Sequence, residues 1–206
     1  MCHEWRNRHR SVLASDDVPT RPERICAELS RLVPEDGVVV VDTGHAGMWM
    51  GGFYDVGSPR QRYLRSCGHL GWAFPAGLGA KCALPERPVV VFTGDAGFWY
   101  HIAEIETAVR WHINSVTIVN NNSSGNQSKR GFEQAYGEYG KGRSRELWTF
   151  GDVDFSGLAE KIGAVGLRVE KPTQLAPAIE QALAADRPTI VDVRTDAEVL
   201  ATLAPT

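Results

Sequence analysis

Hydrophobic positions in this chain fall into short unbroken runs, and between the runs lie longer segments with helical spacing. Val38-Val39-Val40-Val41 and Pro88-Val89-Val90-Val91-Phe92-Thr93 are runs of the kind a parallel sheet buries on both faces. Ser115 to Val119 is a β-branched third strand, and Gly166 to Val169 and Pro188 to Val193 predict two more. Thr20-Arg21-Pro22 suits a helix start, after which Ile25, Leu29, Leu32 and Val33 form an apolar stripe. Small and aromatic residues from Ala46 to Tyr54 predict a short helix, and Phe74 to Leu84 a small-residue helix that packs close to a sheet. Ile102, Ile105, Ala108 and Val109 recur at helical spacing in a helix opening at Gly97. Helices are also predicted over Asp154 to Ile162 and Pro172 to Ala185. This alternation predicts an α/β fold, an open, doubly wound, mostly parallel sheet with helices on both faces. Residues 1–18 show no clear period and read as an N-terminal tail or linker, 19–197 as one domain, and 198–206 as a C-terminal tail. The segment 126–151 is polar, glycine-rich and aperiodic, which suits a lid or contact loop.

Chemistry concentrates between Pro88 and Gly125. Gly94-Asp95-Ala96-Gly97 is a turn with a carboxylate at its apex, placed between a strand and a helix. The next strand ends in Asn120-Asn121-Asn122-Ser123-Ser124-Gly125. Parallel strands joined by one helix bring their carboxyl ends side by side, so Asp95 and the Asn run face one crevice. Taken singly, Asp95 reads as a helix cap and the Asn run as a turn. Together, at opposite ends of one βαβ unit, they offer a hard anionic oxygen and an amide oxygen, and a backbone carbonyl just beyond adds a third. Mg²⁺ takes such ligands and fills its shell with phosphate oxygens and water. The amino end of the following helix adds free N–H groups for a phosphate.

This stretch resembles the diphosphate-binding motif of thiamine diphosphate (ThDP) enzymes, which begins Gly-Asp-Gly and ends in Asn-Asn, and it is most similar to the acetolactate synthase branch. Asn122 stands 27 positions after Asp95, the separation the motif wants. The third Asn leaves a choice between Asn121 and Asn122, and spacing favours Asn122. The resemblance implies ThDP and Mg²⁺ as cofactors, with Asp95, Asn122 and the Ser124 carbonyl as metal ligands. It places Gly94, Asp95, Ala96 and Gly97 against the cofactor, Ala96 standing where the motif usually has Gly. Thr43, Gly44, His45 and Ala46, ahead of Met48-Trp49, resemble the family's segment under the phosphates, with His45-Ala46 in place of Gln-His. Counting back from Pro75, Leu70 falls on the apolar wedge that bends the cofactor, and the Gly68 carbonyl and Leu70 N–H fall on its pyrimidine contacts. Among histidines near the crevice, His69 and His45 suit a proton shuttle at neutral pH or the capping of a turn.

The family's activating glutamate lies in a separate pyrimidine-binding domain, and 206 residues hold one domain. The resemblance therefore implies a split enzyme, an α2β2-type hetero-oligomer in which a second subunit supplies the glutamate. Its substrate is a small 2-oxo acid, decarboxylated with transfer of the acyl carbanion to an acceptor. A simple 2-oxo acid decarboxylase subunit, as in sulfopyruvate decarboxylase, and a non-catalytic regulatory or assembly subunit are the alternatives.

Composition narrows the partners. The net charge of −3 argues against nucleic acid. The four cysteines show no C-x-x-C spacing, so neither zinc nor an iron–sulfur cluster is expected. No apolar run reaches membrane-spanning length, and the polar first ten residues lack a signal peptide. A cytoplasmic protein with no membrane contact is the expectation.

Overall fold

A computed structural model describes residues 2–136 and 143–201. The elements are, in order, α1 (Cys2–Arg8), α2 (Arg10–Leu13), α3 (Pro22–Leu32), β1 (Val38–Val41), α4 (His45–Phe53), β2 (Arg62–Arg65), α5 (Ala73–Ala83) and β3 (Val89–Gly94). There follow α6 (Asp95–Trp99), α7 (Glu104–Arg110), β4 (Val116–Asn121), α8 (Lys129–Tyr136), α9 (Phe155–Ile162), β5 (Val165–Val169), α10 (Leu175–Ala184) and β6 (Thr189–Arg194). The six strands form one sheet in the order β2-β1-β3-β4-β6-β5, and every pair is parallel. The expected doubly wound α/β fold is present.

Alternation along the central strands explains the two helical layers. Val39, Val41, Val90, Phe92 and Ile118 face a core built with Ile25, Leu29, Trp49 and Ile179, from α3, α4 and α10. Val38, Val40 and Val91 face α5, while Val119 and Ile190 pack against residues of α5, α6, α7 and α9. Gly77 shows why α5 is rich in small residues, since a Cβ there would stand 2.2 Å from Val91 Cγ2. Order reverses between β1 and β3, so the connections leaving these two strands run to opposite faces of the sheet and leave a crevice at their carboxyl side.

Four expectations are corrected. The first 18 residues contain two short helices, and Trp5 stacks on Phe53 at 5.9 Å while its indole N–H donates to the Gly52 carbonyl at 3.2 Å. Helices so short are held by such tertiary contacts, which leave no stripe to read. Secondly, the helix expected at Gly97 begins at Asp95 and is interrupted after Trp99, where bonds such as Tyr100 N–H to the Gly97 carbonyl and His101 N–H to the Phe98 carbonyl replace the wider helical spacing. Thirdly, β2 escaped prediction because Arg62-Tyr63-Leu64-Arg65 is a largely exposed edge strand without an apolar run. Fourthly, 126–151 contains α8, 3₁₀ turns at Asn126–Ser128 and Arg143–Leu147, and the buried Trp148. Residues 137–142 of that expected loop, and 202–206 of the expected tail, lie outside the described residues. No helix among the described residues is long and apolar enough to cross a membrane.

Candidate functional site

Three strand ends build the site. β3 delivers Asp95 to the first turn of α6, β4 delivers the Asn run, and β1 delivers Asp42-Thr43-Gly44 to the amino end of α4. They enclose a crevice of about 100 Å³. Of the sequence-predicted residues, Thr43, Gly44, His45, Ala46, Leu70, Gly94, Asp95, Ala96, Gly97, Asn122 and Ser124 all line it. Gly68 and His69 do not; they sit exposed on the loop after β2, with Gly68 at φ +87°. A larger concavity of about 420 Å³ opens at the amino ends of the strands, beside Lys81, Trp111 and Asp186. Ligands of open α/β sheets bind outside the carboxyl ends, so the smaller crevice is the candidate.

Asp95 is buried and its carboxylate is tied to both sides of the crevice. Its Oδ1 accepts from Ala96 N–H at 2.8 Å, and its Oδ2 accepts from Ser124 N–H at 2.9 Å, 29 residues along the chain. Asn122 Oδ1 accepts from the N–H and hydroxyl of Ser124 at 3.1 and 2.9 Å. Between these two residues Ser123 takes φ +55°, which L side chains rarely adopt. Neighbours hold it there. Ser123 Oγ accepts from Arg194 at 3.0 Å, its carbonyl accepts from Phe150 N–H at 2.7 Å, and its N–H donates to Asn121 Oδ1 at 3.3 Å.

The choice between Asn121 and Asn122 has a structural counterpart. Asn121 Nδ2 donates to Asp192 Oδ1 and to the Val153 carbonyl, both at 2.9 Å, so its amide is committed behind the crevice. Asn122 lines the crevice itself.

Asp42 went unassigned in the sequence, although it follows a four-valine run into the same sheet end. It is fully buried, and it accepts from Thr93 Oγ1 at 2.7 Å, from Thr43 N–H at 2.8 Å, and from Gly71 N–H at 3.0 Å. One side chain thus ties β1, β3 and the loop carrying Leu70. Burial raises its carboxyl above the ordinary range, against the lowering effect of these donors. Sequence reasoning set Asn120 at the crevice and Trp49 beside it without giving either a role, and it missed Asn126 and Gln127; all four line the crevice.

Burial pushes the Asp95 carboxyl up from 3.8 to about 7, and the N–H groups of Ala96, Ser124 and Ser123 offset only part of this. Between those values the folded protein holds a proton that the unfolded chain has released, so stability falls as pH rises through that window. Over the whole span the loss is on the order of 4 kcal/mol. Asp95→Asn should therefore flatten the fall in unliganded stability, measured by urea unfolding at about pH 5 and about pH 7.5.

The residues present fit a phosphate held through a cation. Asp95 has no ion-pair partner among the described residues, and the lining contains no Lys or Arg. A Cβ on Gly94 would meet nothing within 4 Å, so the chain leaves space beside Asp95. No group of three or more His, Cys, Asp or Glu among the described residues could hold a metal, so a cation here would depend on mixed carboxylate, amide and carbonyl oxygens.

Known proteins resemble this chain in sequence and in fold. The chain is 32% identical over 201 residues to the acetolactate synthase large subunit of Mycobacterium tuberculosis, covering 94% of this chain and 35% of that protein. It is 32% identical over 197 residues to the glyoxylate carboligase of Escherichia coli, covering 88% of this chain and 33% of that one. Among solved structures, the thiamine diphosphate-dependent 4-hydroxybenzoylformate decarboxylase of Rhodococcus jostii superposes with a TM-score of 0.75 at 30% identity, over 89% of this chain and 34% of that one. The chain spans about a third of the length of these relatives. Residues 42–193 match the family described as thiamine pyrophosphate enzyme, C-terminal TPP binding domain, and those residues run from Asp42 through Asp95 and Asn122 to the end of the sheet. The chain belongs to the thiamine pyrophosphate enzymes, in which it corresponds to the C-terminal cofactor-binding domain.

Proposed function

We propose that this chain holds the diphosphate of ThDP through Mg²⁺ in an enzyme that decarboxylates a 2-oxo acid and passes the acyl unit to an acceptor. The observation that carries the reading is the meeting of Asp95 with the Asn122–Ser124 turn across 29 residues of sequence. Asp95, the Asn122 amide oxygen and the Ser124 carbonyl would be the protein's ligands to the cation. With no Lys or Arg in the lining, the phosphates depend on that cation and on the N–H groups at the amino end of the nine-residue α4, at Gly44, His45 and Ala46, beside Thr43, whose own N–H is held by Asp42. Gly94, Ala96 and Gly97 form the facing wall. Leu70 is the apolar wedge under the bent cofactor, and the exposed Gly68 and His69 beside it are what this chain offers to the pyrimidine end and to proton transfer there.

When bound, ThDP supplies a carbon nucleophile for the keto group and a sink for the electrons released with CO₂. This chain's residues bind and orient it. The crevice lining contains no glutamate. The activating glutamate comes from a pyrimidine-binding domain on a partner chain, in a hetero-oligomer of α2β2 type. The relatives named a glyoxylate carboligase and an acetolactate synthase favour transfer to an acceptor, whereas the solved neighbour named a decarboxylase supports a second reading in which the product is simply protonated.

Calorimetric titration of ThDP, with and without Mg²⁺ and with the pyrimidine-domain partner present, tests the proposal. Saturable, Mg²⁺-dependent binding is expected, and Asp95→Ala should weaken it by roughly 100-fold or more, since an ionic ligand and two backbone anchors go together. No binding by the wild type with its partner present would sink it.

A further inference from the structure

Two carboxamides in the crevice have no role in the ligand set above. Asn120 and Asn126 line it and are 3% and 4% exposed. The Oδ1 atom of each is buried and has no hydrogen-bond partner. Asn126 cannot relieve this by turning its amide over, because its Nδ2 donates to the Val199 carbonyl at 2.9 Å. A buried acceptor without a donor destabilises a fold by roughly 1–3 kcal/mol. Two of them bordering one crevice call for donors brought in by a ligand.

A diphosphate cannot supply them, since its oxygens are acceptors like the carboxamide oxygens themselves. A hydrated divalent cation can. Mg²⁺ gives up its water reluctantly, and in the positions that the three protein oxygens and the phosphate leave open its shell keeps water, whose protons the metal polarises. Both residues sit beside the cation ligands in the fold. Asn120 pairs in register with Gly94, next to Asp95, and Asn126 lies two residues beyond Ser124.

We infer that Asn120 and Asn126 accept hydrogen bonds from cation-bound water, so that the site holds Mg²⁺ together with the water left in its shell. This rests on the cation reading proposed above. They act through water as positioning residues, and their contribution appears in the cation affinity.

Asn120→Leu keeps the branching and the number of side-chain heavy atoms and breaks no hydrogen bond found among the described residues. The full chain with its partner is titrated with Mg²⁺ at saturating ThDP, and the unliganded protein is melted separately. The Mg²⁺ midpoint is expected to rise about tenfold in Asn120→Leu and in Asn126→Leu. The melting temperature of unliganded Asn120→Leu should hold or rise, because an unsatisfied buried acceptor has gone. An unchanged Mg²⁺ midpoint in both variants overturns the inference, as does a shifted midpoint in Asn120→Leu accompanied by a lower melting temperature, the mark of a merely structural residue. A wild type without Mg²⁺-dependent ThDP binding overturns the cation reading instead.

Discussion

Gly97→Ala should destabilise the protein by roughly 3 kcal/mol and abolish cofactor binding, although it adds a single methyl group. The added Cβ would lie 2.2 Å from Asp42 Oδ2 and 2.9 Å from Thr93 Oγ1. Asp42 cannot step aside, because it is fully buried and held by Thr93, Thr43 and Gly71. Making room means leaving some of these donors unpaired beside a displaced carboxylate. It also releases the Gly71 end of the loop that carries Leu70 into the crevice. Thermal melting should show a fall of roughly 10 °C for a chain of this size. Titration of ThDP at a temperature where the variant is still folded separates lost binding from lost structure.

Arg168→Met should cost about 3 kcal/mol at neutral pH, the low end of the range for removing one partner of a buried ion pair, because the guanidinium is 24% exposed while Asp192 is buried. Asp192 is fully buried in β6, and its Oδ2 accepts from Arg168 and from Phe155 N–H, at 2.8 Å for the latter. Burial already raises its carboxyl above the ordinary range, against the lowering effect of Asn121, Arg168 and the Phe155 N–H. Without the guanidinium it would rise further. The folded protein would then hold a proton that the unfolded chain releases, so the loss is greatest at neutral pH and shrinks as the pH falls. Urea unfolding at about pH 5 and about pH 7.5 reads this dependence. The double variant Arg168→Met/Asp192→Leu should recover much of the neutral-pH loss, because no buried charge remains. Asn121 also binds Asp192 and supports Ser123, so the single variant should loosen the Asn122–Ser124 turn as well.

Fold class and the outline of the site were legible in the sequence because both rest on local patterns. Runs such as Val38 to Val41 and Val89 to Phe92 suit strands buried on both faces, and the helices between them dictate parallel crossovers. Asp95 and Asn122 end successive strands of that sheet, so their meeting follows from connectivity alone. The short N-terminal helices, the exposed β2 and the break between α6 and α7 were not legible. Each is decided by what packs against it, as with Trp5 on Phe53, rather than by a period along the chain.

By itself, then, the sequence determined a doubly wound sheet with an acidic turn and an Asn run at one end. Only the tertiary structure divided the labour among residues that look alike. It turned Asn121 back to Asp192, left Asn120 and Asn126 with unpaired oxygens in the crevice, and made Asp42 the bond between β1, β3 and the Leu70 loop. The physical reason is that a side chain's role is set by the partners and the burial it finds, and those partners lie 29 to 73 residues away along the chain.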